Sequence, residues 1–529
     1  MQSVDITTSR MAKLFTSLLI LQYFVSADSS PVASTRLPSA RHFDLDGRVT
    51  VSGVEIRFSD AKLPPVHAIY GIRYASLGGR VDKTEQNMAG RNDQKPAKRR
   101  FMHSVAAFIY DTPNKGHLQK TTMPPVCPQP QRTEHNGVGE GRAGRVPLSY
   151  HLENQAEDCL TLNIFVPELE KGHAKRPLPV LIFVHGDSFE NGSGNEYDFS
   201  LFASLGSVIA VTLNYRLGLL GFLTENSSSS IRGNFALFDL QAAIQWVHSN
   251  IHRFDGDPNL VTLMGHSHGA ALVHIFATSL LSVGPNYYGI KRLIMLDGSA
   301  NAPWATTTRN CDLKHFIERQ FKIQQHPSAS IFDLLRNFPI TVILEIQRNY
   351  SRLDLDGCFS LPSRKLQVTS EKKTLFGKAG LLYGQTGLAG SLFYNKANFD
   401  HRDDHFLSAL SYLLGRIFRV APYPLADLVK YVYTQSGKQT EKSRKDGEEK
   451  NKIQEVFTDA LFWSSGVATL RQHCSGQEQS SAFGSTEPSR YAIHLSHAAY
   501  GDDLDLLLGV PFTSAYSPRG IVDRLISQS

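Results

Sequence analysis

One stretch constrains this chain more than any other: Val261-Thr-Leu-Met-Gly265-His266-Ser267-His268-Gly269-Ala270-Ala271-Leu272-Val273. Leu260 to Met264 is a short apolar run with β-branched members, the pattern of a buried strand. From Ala270 onward the residues are small, apolar and good helix formers. A strand that turns directly into a helix leaves no room for bulk beside the turn, so glycine is expected on both sides. The residue at the apex is strained, and its hydroxyl stands clear of the sheet as a nucleophile would. The five-residue Gly-x-Ser-x-Gly pattern also recurs by chance, as a serine in a tight turn with no chemistry. A serine nucleophile needs a base and an acid, so the rest of the chain decides between these readings.

The apolar runs on either side extend the pattern. Leu160, Leu162, Ile164 and Val166 alternate as in a half-buried strand, while Val180–Val184 and Leu293–Leu296 are apolar throughout and Val208–Leu213 is apolar but for Thr212. Over 235–251, Leu237, Leu240, Ile244, Val247 and Ile251 recur at steps of three and four, which is one buried helix face. Strands alternating with helices predict an α/β fold with a central, mostly parallel sheet flanked by helices.

Two stretches break that rhythm. Residues 77–100 are polar and basic, with Lys95, Lys98, Arg99 and Arg100, and residues 128–148 are rich in Gly, Pro, Gln and Arg. Both read as long surface loops, the basic cluster as a solvated one rather than a recognition or processing site. The net charge of +6 is spread without a stripe, so no nucleic-acid partner is expected. Met11-Ala-Lys13, the apolar run Leu14–Val25 and the small residues Val25-Ser26-Ala27 read as a signal peptide over 1–27, leaving one domain over 28–529. Secretion permits disulfides and makes Asn191, Asn226 and Asn349, each in an Asn-x-Ser sequon, glycosylation acceptors. None of Cys127, Cys159, Cys311, Cys358 and Cys474 has metal-ligand spacing, so no metal site is expected.

Glu157-Asp-Cys-Leu-Thr-Leu-Asn163, Asn214-Tyr-Arg-Leu-Gly-Leu-Leu-Gly-Phe222, Gly233-Asn-Phe-Ala-Leu-Phe-Asp239 and Phe254-Asp-Gly-Asp-Pro-Asn259 resemble signatures of the type-B carboxylesterase and cholinesterase family. Within it, His185-Gly-Asp-Ser-Phe-Glu-Asn-Gly-Ser-Gly194-Asn195, Ser299-Ala-Asn-Ala-Pro-Trp304-Ala, Val456–Asp459 and Val467–Thr469 resemble the invertebrate neuroligins. The resemblance runs from about Val49 to Phe512 and implies an α/β-hydrolase fold with Ser267 at its nucleophile elbow. It also implies a Cys127–Cys159 disulfide. Cys311 falls near a family cysteine whose partner position is Leu334 here, so the pairing of Cys311, Cys358 and Cys474 stays open.

Position by position, the same resemblance finds the catalytic set degraded. The acid position holds Ala389 and the base position Tyr500. A methyl group cannot orient an imidazole, and a phenol with a pKa of about 10 is a poor base at neutral pH. His497 lies three residues upstream of Tyr500, roughly 10 Å away in extended chain, and serves as base only if the backbone is rerouted. His266 and His268 flank the serine and are expected to point away from its Oγ. The oxyanion loop reads Gly186-Asp187-Ser188, where the Asp187 carboxylate opposes a developing negative charge. Ser267 therefore reads as a relic nucleophile.

With these departures, the resemblance implies a non-catalytic, cholinesterase-like adhesion ectodomain. Neuroligins bind neurexins across cell junctions, so the resemblance implies a neurexin-like partner, calcium only at that partner interface and no other cofactor. The Gly387-Leu-Ala-Gly-Ser391 loop departs from neuroligins where they touch neurexin, which leaves the partner's identity open. Family members continue into a final helix that helps form a homodimer, a transmembrane segment and a tail. No run of about 18 apolar residues follows residue 27 here, which fits a secreted form or the ectodomain of a synaptic membrane protein. Two alternatives stand beside adhesion: a secreted carboxylesterase using Ser267 and a displaced His497, and a secreted protein binding a ligand in the former gorge.

Overall fold

The computed structural model describes residues 33–45, 47, 49–77, 99–107, 116–130, 153–168, 176–186, 188–226, 231–282, 287–306, 313–321, 330–353, 374–396, 405–418, 420, 422, 425–435, 446–475 and 490–499. The expected signal peptide, Asp187, Cys311, Cys358, Tyr500 and most of the two polar stretches lie outside these residues.

Among the described residues, ten strands share one sheet: β1 (Ser34–Pro38), β2 (Val54–Phe58), β3 (Val66–Arg73), β4 (Thr161–Pro167), β5 (Leu178–Val184), β6 (Ile209–Leu213), β7 (Gly256–His266), β8 (Ile290–Leu296), β9 (Gly380–Leu388) and β10 (Arg490–Ala499). Their order is β1-β2-β3-β4-β6-β5-β7-β8-β9-β10. Every pairing from β6 to β10 is parallel, as expected around the elbow. The pairings from β1 through β4 to β6 are antiparallel, so the parallel half is joined to a meander at its N-terminal edge.

Burial explains why this sheet forms. Along β5 and β4 successive side chains enter opposite cores: Ile182 and Ile164 one, Leu181, Phe183 and Phe165 the other. β4 was expected to be half-buried from its alternation. Instead Leu162 to Pro167 are all buried, because β3 and β6 flank the strand and both faces are covered. The apolar alternation marks only one of its two cores. The helix α1 (Phe235–Asn250) departs in the same sense. Beyond the predicted face it buries Phe235, Ala236, Asp239, Ala243 and Trp246.

Polar ties hold the loops to this frame. Arg216 and Asp239, both from signature motifs, form a buried bidentate pair, with Nε and Nη2 donating to Oδ2 and Oδ1 at 2.8 and 2.6 Å. A buried pair of this kind is strongly destabilising to break, because it leaves an uncompensated charge. Arg100, expected in a solvated basic loop, is instead buried. Its Nε donates to Glu157 at 2.7 Å, and its Nη1 donates to the carbonyls of Leu335 and Phe338 at 3.1 and 2.8 Å. Burial of its guanidinium is possible only because Glu157 of the Glu-Asp-Cys motif meets it. Cys127 and Cys159 are disulfide-bonded with Cα atoms 5.0 Å apart. Leu334 is buried in a small helical core, and Cys474 is half-buried.

After β7 the chain turns straight into α2 (His268–Ala277). Later in the chain come α3 (His405–Tyr412), α4 (Leu425–Gln435), α5 (Asp446–Thr458) and α6 (Ser464–Ser475). Among the described residues no helix is long and apolar enough to cross a membrane.

Candidate functional site

Ser267 caps α2 at the end of β7 with φ 55° and ψ −122°, a conformation L-residues rarely adopt. The motif glycines make the turn possible. A Cβ at Gly265 would sit 2.4 Å from the Gly269 carbonyl oxygen, and one at Gly269 would sit 2.2 Å from that of Val184. Gly186 packs on the same corner, where a Cβ would lie 3.0 Å from Ser267 Cβ. The oxyanion-loop position is therefore adjacent to the serine, although Asp187 itself lies outside the described residues. Gly192, further along that loop, is bracketed by buried Gln129, which accepts from its N–H at 2.9 Å and donates to its carbonyl at 3.1 Å.

The structure corrects the expectation for one flanking histidine. His268 Nδ1 lies 3.1 Å from Ser267 Oγ, within hydrogen-bond reach. The reversed φ at Ser267 swings the next side chain back over the turn. There Phe189 and Trp304 hold the His268 ring, at centroid separations of 4.7 and 4.3 Å. Ser267 itself has 0% exposure and His268 5%.

Ala389, the position expected for the acid, is the first residue after β9. Ala389 is fully buried there, in an apolar cluster with Phe457, Leu461 and Phe462, against which Trp304 and Phe393 pack. Gly390 N–H donates to Thr458 Oγ1 at 2.9 Å, which ties this corner to α5. Aromatic and aliphatic side chains thus surround Ala389.

His497 lies within β10, not in a loop beyond it. Between the pairs Thr386–Leu495 and Leu388–Ala499 the register shifts, so β10 bulges at the segment holding His497. β10 is three strands from β7, about 14 Å at roughly 4.8 Å per step. Tyr500 follows directly in sequence, outside the described residues.

Two polar groups near the elbow escaped the sequence reading. Asp297 follows β8, is fully buried with φ 48°, and accepts from Thr386 N–H at 2.7 Å and Thr386 Oγ1 at 2.6 Å. Its carboxylate is committed to β9. The only signal for it was an acidic residue closing an apolar run. On α2 itself, His274 is fully buried and stacked on Phe376. Its Nδ1 accepts from Ala300 N–H at 3.2 Å, which places its proton on Nε2. Burial, reinforced by neighbouring His473, pushes its pKa down to about 3.

Of the sequon residues, Asn191 is half-buried, and the hydroxyl of its Ser193 donates to Asn214 Oδ1 at 2.9 Å. Asn349 is half-buried on the helix Ile340–Leu353, and Asn226 lies in the short strand Glu225–Asn226. Among the described residues no group of three or more His, Cys, Asp or Glu side chains comes together.

With this geometry in hand, the similarities to known proteins can be placed on it. The profile of the Carboxylesterase family matches residues 97–529. Neuroligin-2 of Homo sapiens is 27% identical over 516 residues, a match covering 88% of this chain and 56% of that protein. Neuroligin-1 of Caenorhabditis elegans is 34% identical over 282 residues, covering 51% of this chain and 32% of that protein. Para-nitrobenzyl esterase of Bacillus subtilis is 32% identical over 361 residues, covering 66% of this chain and 65% of that protein. The chain thus spans just over half the length of the human relative.

Proposed function

Because this chain belongs to the carboxylesterase family, we propose that it uses the family's fold without its chemistry, as a neuroligin-like adhesion ectodomain binding a neurexin-type cell-surface partner. The observation that carries this is Ala389, a buried methyl group at the end of β9 inside an apolar cluster. No imidazole there would find a carboxylate to orient it. The buried serine supports the same reading, since a substrate carbonyl must approach to about 3–3.5 Å. Calcium enters only at the partner interface. The protein acts in the secretory pathway and at the cell surface or synaptic membrane. A second copy of the chain is the proposed occupant of an apolar stripe on α4, where Leu425, Leu428, Tyr431 and Val432 face solvent.

A second reading has one specific observation in its favour. His268 Nδ1, 3.1 Å from Ser267 Oγ, meets the distance a general base needs, and one relative is an esterase. Against it, an imidazolium formed between Phe189 and Trp304 loses its hydration.

The test is ester hydrolysis and organophosphate labelling of the wild type beside Ser267→Ala. Equal background in both is expected. Labelling at Ser267 that vanishes in the Ala variant overturns the non-catalytic reading, and His268→Ala and His497→Ala then identify the base. Adhesion is tested separately, by binding to a neurexin-type ectodomain in calcium and in chelator. Absence of calcium-dependent binding removes the partner assignment.

A further inference from the structure

A small sheet far from the elbow brings two imidazoles together. The strands Phe43–Asp44, Val49–Ser52 and Gly116–Gln119 pair in that order, with Thr50 opposite Asp44 on one side and His117 on the other. Phe43 and Val51 point into the core, which leaves His42, Thr50 and His117 together on the outer face. His42 Nδ1 stands 3.2 Å from His117 Nδ1, and Thr50 Oγ1 stands 3.0 Å from the same His117 nitrogen. The ring centroids are 4.5 Å apart, with planes inclined at 60°. Further along the same face, His117 Nε2 lies 2.8 Å from the hydroxyl of Ser52, a residue only 4% exposed.

We infer that His42 and His117 form a binding site for a divalent transition ion of the Zn²⁺ and Cu²⁺ class. Two nitrogens each about 2.0–2.1 Å from one tetrahedral ion stand about 3.3 Å apart, which is the spacing found. A shared proton also fits that spacing. The ion takes both lone pairs in its place, and the proton leaves to solvent. Ser52 supplies what metal-ligating histidines have, an acceptor for the other ring nitrogen. With Nε2–H donated to Ser52, His117 carries its Nδ1 lone pair toward His42. Neutral imidazole nitrogens select zinc and copper over magnesium and calcium. Both rings are exposed, so water completes the coordination, beside the Thr50 hydroxyl. The adjacent cation does not oppose the ion: Arg41 pairs with Asp255 and lies over the Phe43 ring at 4.6 Å.

The test uses tag-free, chelator-treated protein titrated with Zn²⁺ and Cu²⁺ by calorimetry. The chain has 20 histidines, so the site is read as a difference between variants. His42→Ala and His117→Ala are each expected to remove one binding equivalent, or to weaken it at least tenfold. Ser52→Ala weakens it severalfold, and excess Ca²⁺ or Mg²⁺ does not compete. In the electron paramagnetic resonance spectrum, the Cu²⁺ equivalent lost in the variants carries two-nitrogen coupling. His42→Gln and His117→Gln, with unchanged thermal unfolding, show that loss of binding is not loss of fold. Wild-type stoichiometry and affinity in both His→Ala variants overturn the site, as does an absence of any stoichiometric equivalent in the wild type.

Discussion

Ser267 holds a strained backbone, and its Oγ meets His268. Ser267→Ala keeps that backbone and removes only the 3.1 Å contact. It should lower the unfolding free energy by about 1 kcal/mol in urea denaturation, leaving partner binding unchanged. His274 makes a pH prediction. Its folded pKa of about 3 lies below the ordinary 6.5, so the unfolded chain takes up a proton that the folded chain refuses. The stabilisation is complete above pH 6.5 and is lost progressively as pH falls toward 3, at about 1.4 kcal/mol per unit. Stability measured against pH in wild type and His274→Asn should show that slope only in the wild type. Asn keeps an acceptor for Ala300 N–H and carries no titrating group.

Two elements define the scale above. The β7–α2 turn depends on backbone contact that no side chain can enter. Gly265→Ala should cost about 1–3 kcal/mol, because its Cβ meets a carbonyl of the same turn. Gly415→Ala is the control. A Cβ there meets nothing within 4 Å, so the exchange should be neutral or stabilising by up to about 1 kcal/mol. Thermal unfolding of the two variants separates local crowding from a general dislike of alanine. On α4, Ala426 is buried against the neighbouring helices while Leu428 and Val432 are more than half exposed. Leu428→Glu with Val432→Glu should leave stability unchanged and reduce self-association in sedimentation. A concentration-dependent mass identical to wild type would exclude α4 as the docking face.

At the scale of the molecule, the parallel half of the sheet positions the elbow and the antiparallel half braces it. Cys127–Cys159 clips the segment before β4 to that strand's entry, closing a loop of 32 residues. Replacing both cysteines by alanine should lower stability by about 2–4 kcal/mol, read by denaturant unfolding without reductant. The elbow should survive, since β5, β7 and β8 support it without the bridge.

The sequence alone determined what depends on near neighbours. Apolar runs of strand length, the steps of three and four in α1, and glycines flanking Ser267 are local consequences of backbone geometry, and all stand in the structure. Resemblance to a family added the Cys127–Cys159 pair, because aligned positions carry their fold with them. Tertiary structure decided whatever depends on residues distant along the chain. β4 is buried on both faces because strands on either side of it are covered, which its own alternation cannot reveal. Arg100 looked like part of a solvated basic run until Glu157, 57 residues on, met it inside the protein. His268 folds onto Ser267 because Phe189 and Trp304 wall its ring. His42 and His117 meet across 75 residues only because strand register puts them on one face. Periodicity reports which side of an element is apolar; only packing decides what stands against it.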